Sequence, residues 1–217
     1  FRSQQPANYF ILSVLAFLLW LPAMVKGPVE IPAMHTMPLY AWLLEFLNGR
    51  AGVIVAWLLV VAEAFYLNIL INRYEVLYKP SFLPALFYIL LASFSREVMW
   101  LHPILLVNLM LLVFFDRSFG LFKHPSPTRL LFDASFFLGL ACLVHLPSVI
   151  FYILLLLCMG IVRSLSAREW MVTAVGYFLP AYFLAVWFFW KGTLKEWILS
   201  LSLQLPSLKN LPASWPP

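Results

Sequence analysis

Glu30, His35, Glu45 and Arg50 follow one another in a single polar stretch, and Arg96, Glu97 and His102 fall in a second. His145 stands alone between two apolar runs, and Lys191, Lys195 and Glu196 come after the last long one. A carboxylate or imidazole within hydrogen-bond reach can take a proton from a hydroxyl, and a planar guanidinium can hold a phosphate in a fork. Brought to one place, Glu30, His35, Arg50, Arg96, Glu97, His102, His145 and Lys191 would line a cleft suited to such chemistry. Each also has a plainer reading. Glu30, between Pro28 and Pro32, is equally a solvated loop carboxylate, and His35 a loop histidine. Arg96 and Glu97 equally form a helix-ending ion pair, while capping at an interface is the first reading of His102 and of His145 taken alone.

The elements that would position these groups are written in the apolar runs. Hydrophobic residues make up 64% of the 217-residue chain and charged residues 11%, with a mean hydropathy of +0.92. A soluble domain carries about 25% charged residues and about half apolar ones, so this chain has more apolar surface than a soluble core can hide. The expected solvent is a bilayer, whose core takes about 20 residues of helix to cross. Tyr9 to Val25 reads as a first span rather than a cleavable signal, and Pro38 to Asn48 as a helix lying in the interface. Ala51 to Ile71, Phe82 to Phe94 and Met99 to Phe115 are the next runs, and Asp116 to Arg129 the most polar loop. Leu130 to Val144 and Ser148 to Val162 form a hairpin around His145-Leu146-Pro147, and Trp170 to Trp190 is a seventh span. Arg163 to Glu169 reads as a polar turn. The fold class expected is all-α, a single polytopic domain of about seven spans over 1–217. Its first outer loop and interfacial helix cover 26–50, and an amphipathic segment covers 191–217.

Charge orients this scheme. With the N-terminus cytoplasmic, that side holds eight basic residues (Arg2, Arg73, Lys79, Arg117, Lys123, Arg129, Arg163, Arg168). The other holds six (Lys26, Arg50, Arg96, Lys191, Lys195, Lys209), which agrees with retention of Lys and Arg inside. Three of the four histidines then share the outer face. The basic residues never form a run, so the net charge of +5 implies no nucleic-acid partner. Glu63 and Asp133 lie inside apolar segments. At a helix centre a charge costs about 2.5–3.5 kcal/mol, so Glu63 is expected protonated or paired through a structural hydrogen bond, and Asp133 to stand near a helix start. Cys142 and Cys158 read as small apolar residues without metal spacing. Walker, GxGxxG, HExxH and GxSxG patterns are all missing, which removes nucleotide hydrolysis and the usual hydrolase chemistries.

Two stretches carry a resemblance. His35-Thr36-Met37-Pro38-Leu39-Tyr40, before the interfacial helix, resembles the H-P-P-L-Y segment of the GT-C membrane glycosyltransferases, with one more residue between His and Pro. Gly139-Leu140-Ala141-Cys142-Leu143-Val144-His145-Leu146-Pro147 looks like the G-L-A-x-x-x-H/K-x-P hairpin of the same superfamily. The resemblance implies a sugar moved from a polyprenyl-phosphate donor at the outer face of the inner membrane. Glu30 would then be the base or the ligand of a divalent metal ion, His35 would orient substrate, and Arg96 with Lys191 would grip phosphate. Asn68 to Tyr74, Leu83 to Tyr88 and Phe132 to Phe136 are similar to a family of uncharacterised polytopic inner-membrane proteins of the Bacteroidota. That likeness implies a lineage and an envelope location, not a reaction. A non-catalytic subunit of an envelope, secretion or motility complex, with other membrane proteins as partners, stays open, and a transporter after it.

Overall fold

The computed structural model describes residues 6–26, 38–47, 49–94, 99–121, 128–162, 166–195 and 197–199. Among them the regular structure is helical, without a strand: α1 (Pro6–Lys26), α2 (Pro38–Phe46), α3 (Arg50–Arg73), α4 (Leu83–Phe94), α5 (Pro103–Gly120), α6 (Thr128–Val144), α7 (Ile150–Val162) and α8 (Ala167–Trp190). A 3₁₀ turn over Leu146–Val149 joins α6 to α7. Four helices, α1, α3, α5 and α8, are long and apolar enough to cross a membrane.

Helix ends follow local chemistry. Pro103 occupies the first turn of α5, where its missing N–H costs nothing, and the His102 side chain accepts from the Ile104 N–H. Ser166 and Glu169 form a reciprocal capping box that starts α8. Two sequence expectations are corrected here. Arg168 and Glu169 belong to the first turn of α8 rather than to a polar turn, because the capping box satisfies the free N–H groups there. Asp116 and Arg117 belong to α5 rather than to a loop, because partners on α3 and α6 neutralise them.

Side-chain contacts order the bundle. At one end the Tyr9 ring packs against Phe65 and Phe82, at 5.0 and 4.7 Å, and Arg73 meets Asp116 at 2.9 Å. At the other, the Trp20 indole donates to Ser93 Oγ at 3.0 Å and the Tyr40 hydroxyl to the Leu101 carbonyl. These pairs join the start of α1 to the end of α3 and the start of α4, and the end of α1 to the end of α4. Helices α3 and α5 therefore run the same way, opposite to α1 and α4.

The core falls into two parts. Leu12, Ala16, Trp20, Val60 and Ala64 bind α1, α3 and α4 together, with Leu101 and Leu105 bringing in α5. Phe114, Leu131, Leu138, Ala141 and Leu155 join α5, α6 and α7. Helices α6 and α8 lie parallel and very close. A Cβ at Gly139 would overlap the Tyr177 carbonyl, and one at Gly176 would overlap Ser135 Oγ. Small residues at such crossings let backbones approach where lipid supplies no hydrophobic drive. Elsewhere α8 presents Phe178, Tyr182, Phe183 and Phe189 outward, an apolar surface suited to hydrocarbon.

Candidate functional site

The end of the bundle that carries Tyr40 is where the sequence-derived cleft would lie. Tyr40 of α2 bonds the Leu101 carbonyl of the α4–α5 connection, α2 also packs on α6, and the His145 turn lies near enough to His102 to act on it, so these elements come together at this end. His102 sits within this junction, half-buried, with the edge of Trp100 at 5.1 Å. Its Nδ1 accepts from the Ile104 N–H at 3.2 Å, which puts the ring proton on Nε2. Burial, and then the neighbouring His145, push the His102 imidazole below its ordinary value of 6.5. The His145 backbone N–H closes α6 on the Ala141 carbonyl at 2.9 Å, and its own carbonyl accepts from Ser148 N–H at 3.0 Å. The turn thus keeps His145 near enough for its charge to act on the His102 ring. Tyr40 anchors α2 through a buried hydroxyl, which burial holds protonated as a donor.

Arg50 opens α3 and Lys191 closes α8, both exposed at this same end. The Lys191 ammonium stands 5.0 Å above the Trp187 ring centre. Glu30, His35, Arg96 and Glu97 lie outside the described residues, as do Glu196 and the side chain of Glu45. Two of the eight residues assigned to the cleft, His102 and His145, are therefore seen close together, and two more stand at the same level. Among the described residues no three His, Cys, Asp or Glu side chains gather as ligands for a metal ion. Glu30, the acid that the resemblance would use for one, is not among them.

A second polar site lies mid-bundle. Glu63 is fully buried on α3, the Tyr88 hydroxyl of α4 donates to its Oε2, and Asn108 Nδ2 of α5 donates to Tyr88 at 3.4 Å. Glu63 Oε1 and Asn68 Oδ1 are buried without a hydrogen-bond partner. A structural hydrogen bond for Glu63 was legible in the sequence; its partner, 25 residues away, was not.

No family model, curated protein or solved structure matches this chain. Its site must be read from its own geometry.

At the opposite end Asp116 gathers a third group. Its carboxylate accepts from Arg73 Nη1 at 2.9 Å, Tyr66 at 3.2 Å and Tyr74 at 3.2 Å, and its backbone carbonyl accepts from Tyr74 at 2.7 Å. Asp133, in the second turn of α6, lies 3.7 Å from Arg117. Burial and the Asp116 charge push the Tyr74 hydroxyl up, so it remains a donor. These bonds tie α3, α5 and α6 together. Sequence reading missed them because their partners are brought together only by the fold. Cys142 is buried, as expected, and the Tyr177 hydroxyl donates to its Sγ at 3.4 Å; the Cys158 side chain lies outside the described residues.

Proposed function

We propose that this chain is a seven-span inner-membrane protein of GT-C-like arrangement that transfers a sugar from a polyprenyl-phosphate donor. The work would be done at the end of the bundle bearing His102 and His145. The observation that carries the reading is the meeting of α2 with the α4–α5 and α6–α7 connections around that pair. Such a junction is what the H-x-x-P-L-Y-like segment and the G-L-A hairpin need if they serve one site. The short helices α4, α6 and α7 alternate in direction with the long ones, which supports counting them as crossings. At 1.5 Å per residue α4 is about 18 Å long, so it crosses a core of about 30 Å only where the bilayer thins around it.

In this reading Glu30 removes the proton of an acceptor hydroxyl as its oxygen attacks the anomeric carbon. The bond from that carbon to the carrier phosphate breaks, and Arg96 with Lys191 stabilises the departing charge. His35, His102, His145, Arg50 and Glu97 contribute binding and orientation. The N-terminus is cytoplasmic, so this end faces the periplasm. The test has two parts. Thiol labelling of single cysteines at 30, 50, 102, 145 and 191 should report one side of the membrane, and Glu30→Gln should abolish sugar transfer while the protein remains folded. Labelling from opposite sides, or undiminished transfer by the variant, refutes the assignment.

A second reading, a non-catalytic subunit of an envelope complex, is favoured by one observation. The acids described within the helices, Glu63, Asp116, Asp133 and Glu169, each bond or pair with a neighbouring element or cap. Stoichiometric membrane partners retained through mild detergent extraction, with no transfer activity, would decide for it.

A further inference from the structure

The groove between α6 and α8 has the dimensions of one lipid leaflet and a cation at its mouth. Phe136, Leu140 and Leu143 form one wall, spaced as a single helix stripe, and Phe183, Leu184 and Trp187 form the other. Its volume is about 290 Å³. Pro180 narrows it at the level where Gly139 meets the Tyr177 carbonyl, because there the two backbones approach most closely. Above that pinch bulky side chains hold the helices apart. Phe136, nearly one turn before Gly139, also lines the groove, so the groove extends past this narrowing toward the centre of α8.

Lys191 stands at the other end. Its ammonium lies over the face of Trp187, which is itself a wall of the groove, so the charge is held at the mouth. From Pro180 to Lys191 is eleven residues, about 16 Å of helix, while one leaflet of hydrocarbon is about 15 Å. The pinch therefore falls near the bilayer midplane and the ammonium at the level of the headgroups. Lys ends of spanning helices commonly reach toward water, but here the ammonium is fixed above a cleft with no polar side chain in its walls.

We infer that this groove binds one acyl chain of an anionic phospholipid, with the lipid phosphate on Lys191 and the chain end at the Gly139–Pro180 pinch. The inference needs only the groove, the charge and the bilayer, and it competes with the proposed sugar transfer for Lys191: if a phospholipid holds this ammonium, Arg96 alone is left to grip the carrier phosphate. Charge complementarity selects the headgroup: a zwitterionic lipid would add its own cation beside the ammonium, whereas phosphatidylglycerol brings a net negative charge.

The test is native mass spectrometry of the full chain from micelles doped with equal amounts of phosphatidylglycerol and phosphatidylcholine. The wild type should retain phosphatidylglycerol about fivefold over phosphatidylcholine, the factor expected for one lysine acting on an anionic headgroup. Lys191→Gln, an exposed substitution, should bring the ratio close to one. Leu140→Trp, which fills the groove, should reduce adducts of both lipids. Equal retention by the wild type, or an unchanged ratio in Lys191→Gln, overturns the inference. So does displacement of bound phosphatidylglycerol by an equal amount of a polyprenyl phosphate, which would assign the groove to that carrier instead.

Discussion

Tyr88 and Glu63 offer a quantitative test of how this bundle is held together. Replacing Glu63 by Leu keeps most of the side-chain volume and removes the acceptor, leaving the Tyr88 hydroxyl in apolar surroundings with only the 3.4 Å contact from Asn108. Replacing Tyr88 by Phe removes the hydroxyl that donates to Glu63 Oε2 and leaves the buried carboxyl without its side-chain partner. Each single change thus carries the cost of an orphaned polar group, about 1–3 kcal/mol, whereas removing both partners is close to neutral. Hydrogen bonds between spanning helices have measured about 0.6 kcal/mol on average and about 1.7 at most. The double variant Glu63→Leu/Tyr88→Phe should therefore be more stable than the sum of the singles by about 0.6–1.7 kcal/mol. Reversible unfolding in mixed micelles of increasing dodecyl sulfate content, followed by circular dichroism, gives the four free energies. Additivity within about 0.3 kcal/mol would show that the bond contributes nothing and refute this account of the mid-bundle site.

Other outcomes follow from the same contacts. Gly139→Val should cost more than about 2 kcal/mol in the same unfolding assay, because the new side chain meets the Tyr177 backbone rather than a movable group. Asp116→Ala should cost about 1–3 kcal/mol by unpairing two tyrosines and the partly exposed Arg73, whereas Asp133→Ala, in a longer and more exposed pair, should cost under about 1 kcal/mol. His102 is held below its ordinary 6.5, so the folded state favours the neutral ring. Its contribution is complete above about pH 6.5 and is lost as pH falls below that. His102→Asn keeps a cap acceptor without the titration, and should flatten the acid limb of the stability–pH curve.

The sequence and the structure agree where the signal is local. The order of the elements was legible because each apolar run is bounded by prolines or charges. Alternation in helix direction puts the connections that carry His102 and His145 at one end of the bundle, but it does not fix the distance between them. What sequence reading misplaced were charged residues that fold into helices. Asp116 and Arg117 resemble a loop start until Arg73, 43 residues earlier, and Asp133 are seen to neutralise them. Arg168 and Glu169 were misplaced for a smaller reason, since Ser166-Ala167-Arg168-Glu169 already spells a capping box. The Glu63 bond could be anticipated in kind, because a lone carboxyl in hydrocarbon must find a donor. Nothing in the run Leu83 to Phe94 distinguishes Tyr88 as that donor.

The glycine contact between α6 and α8 also imposes an order of assembly. These two helices are parallel and separated in the chain by α7, so they cannot meet until α7 has carried the chain back to the end where α6 begins. Helices α5 and α6, antiparallel and consecutive, can settle as soon as both have emerged. The last long helix is then the final piece to dock, and until it does the backbone beside Gly139 stays open to lipid. A block at that step would leave a shorter bundle still inserted but lacking its closing wall.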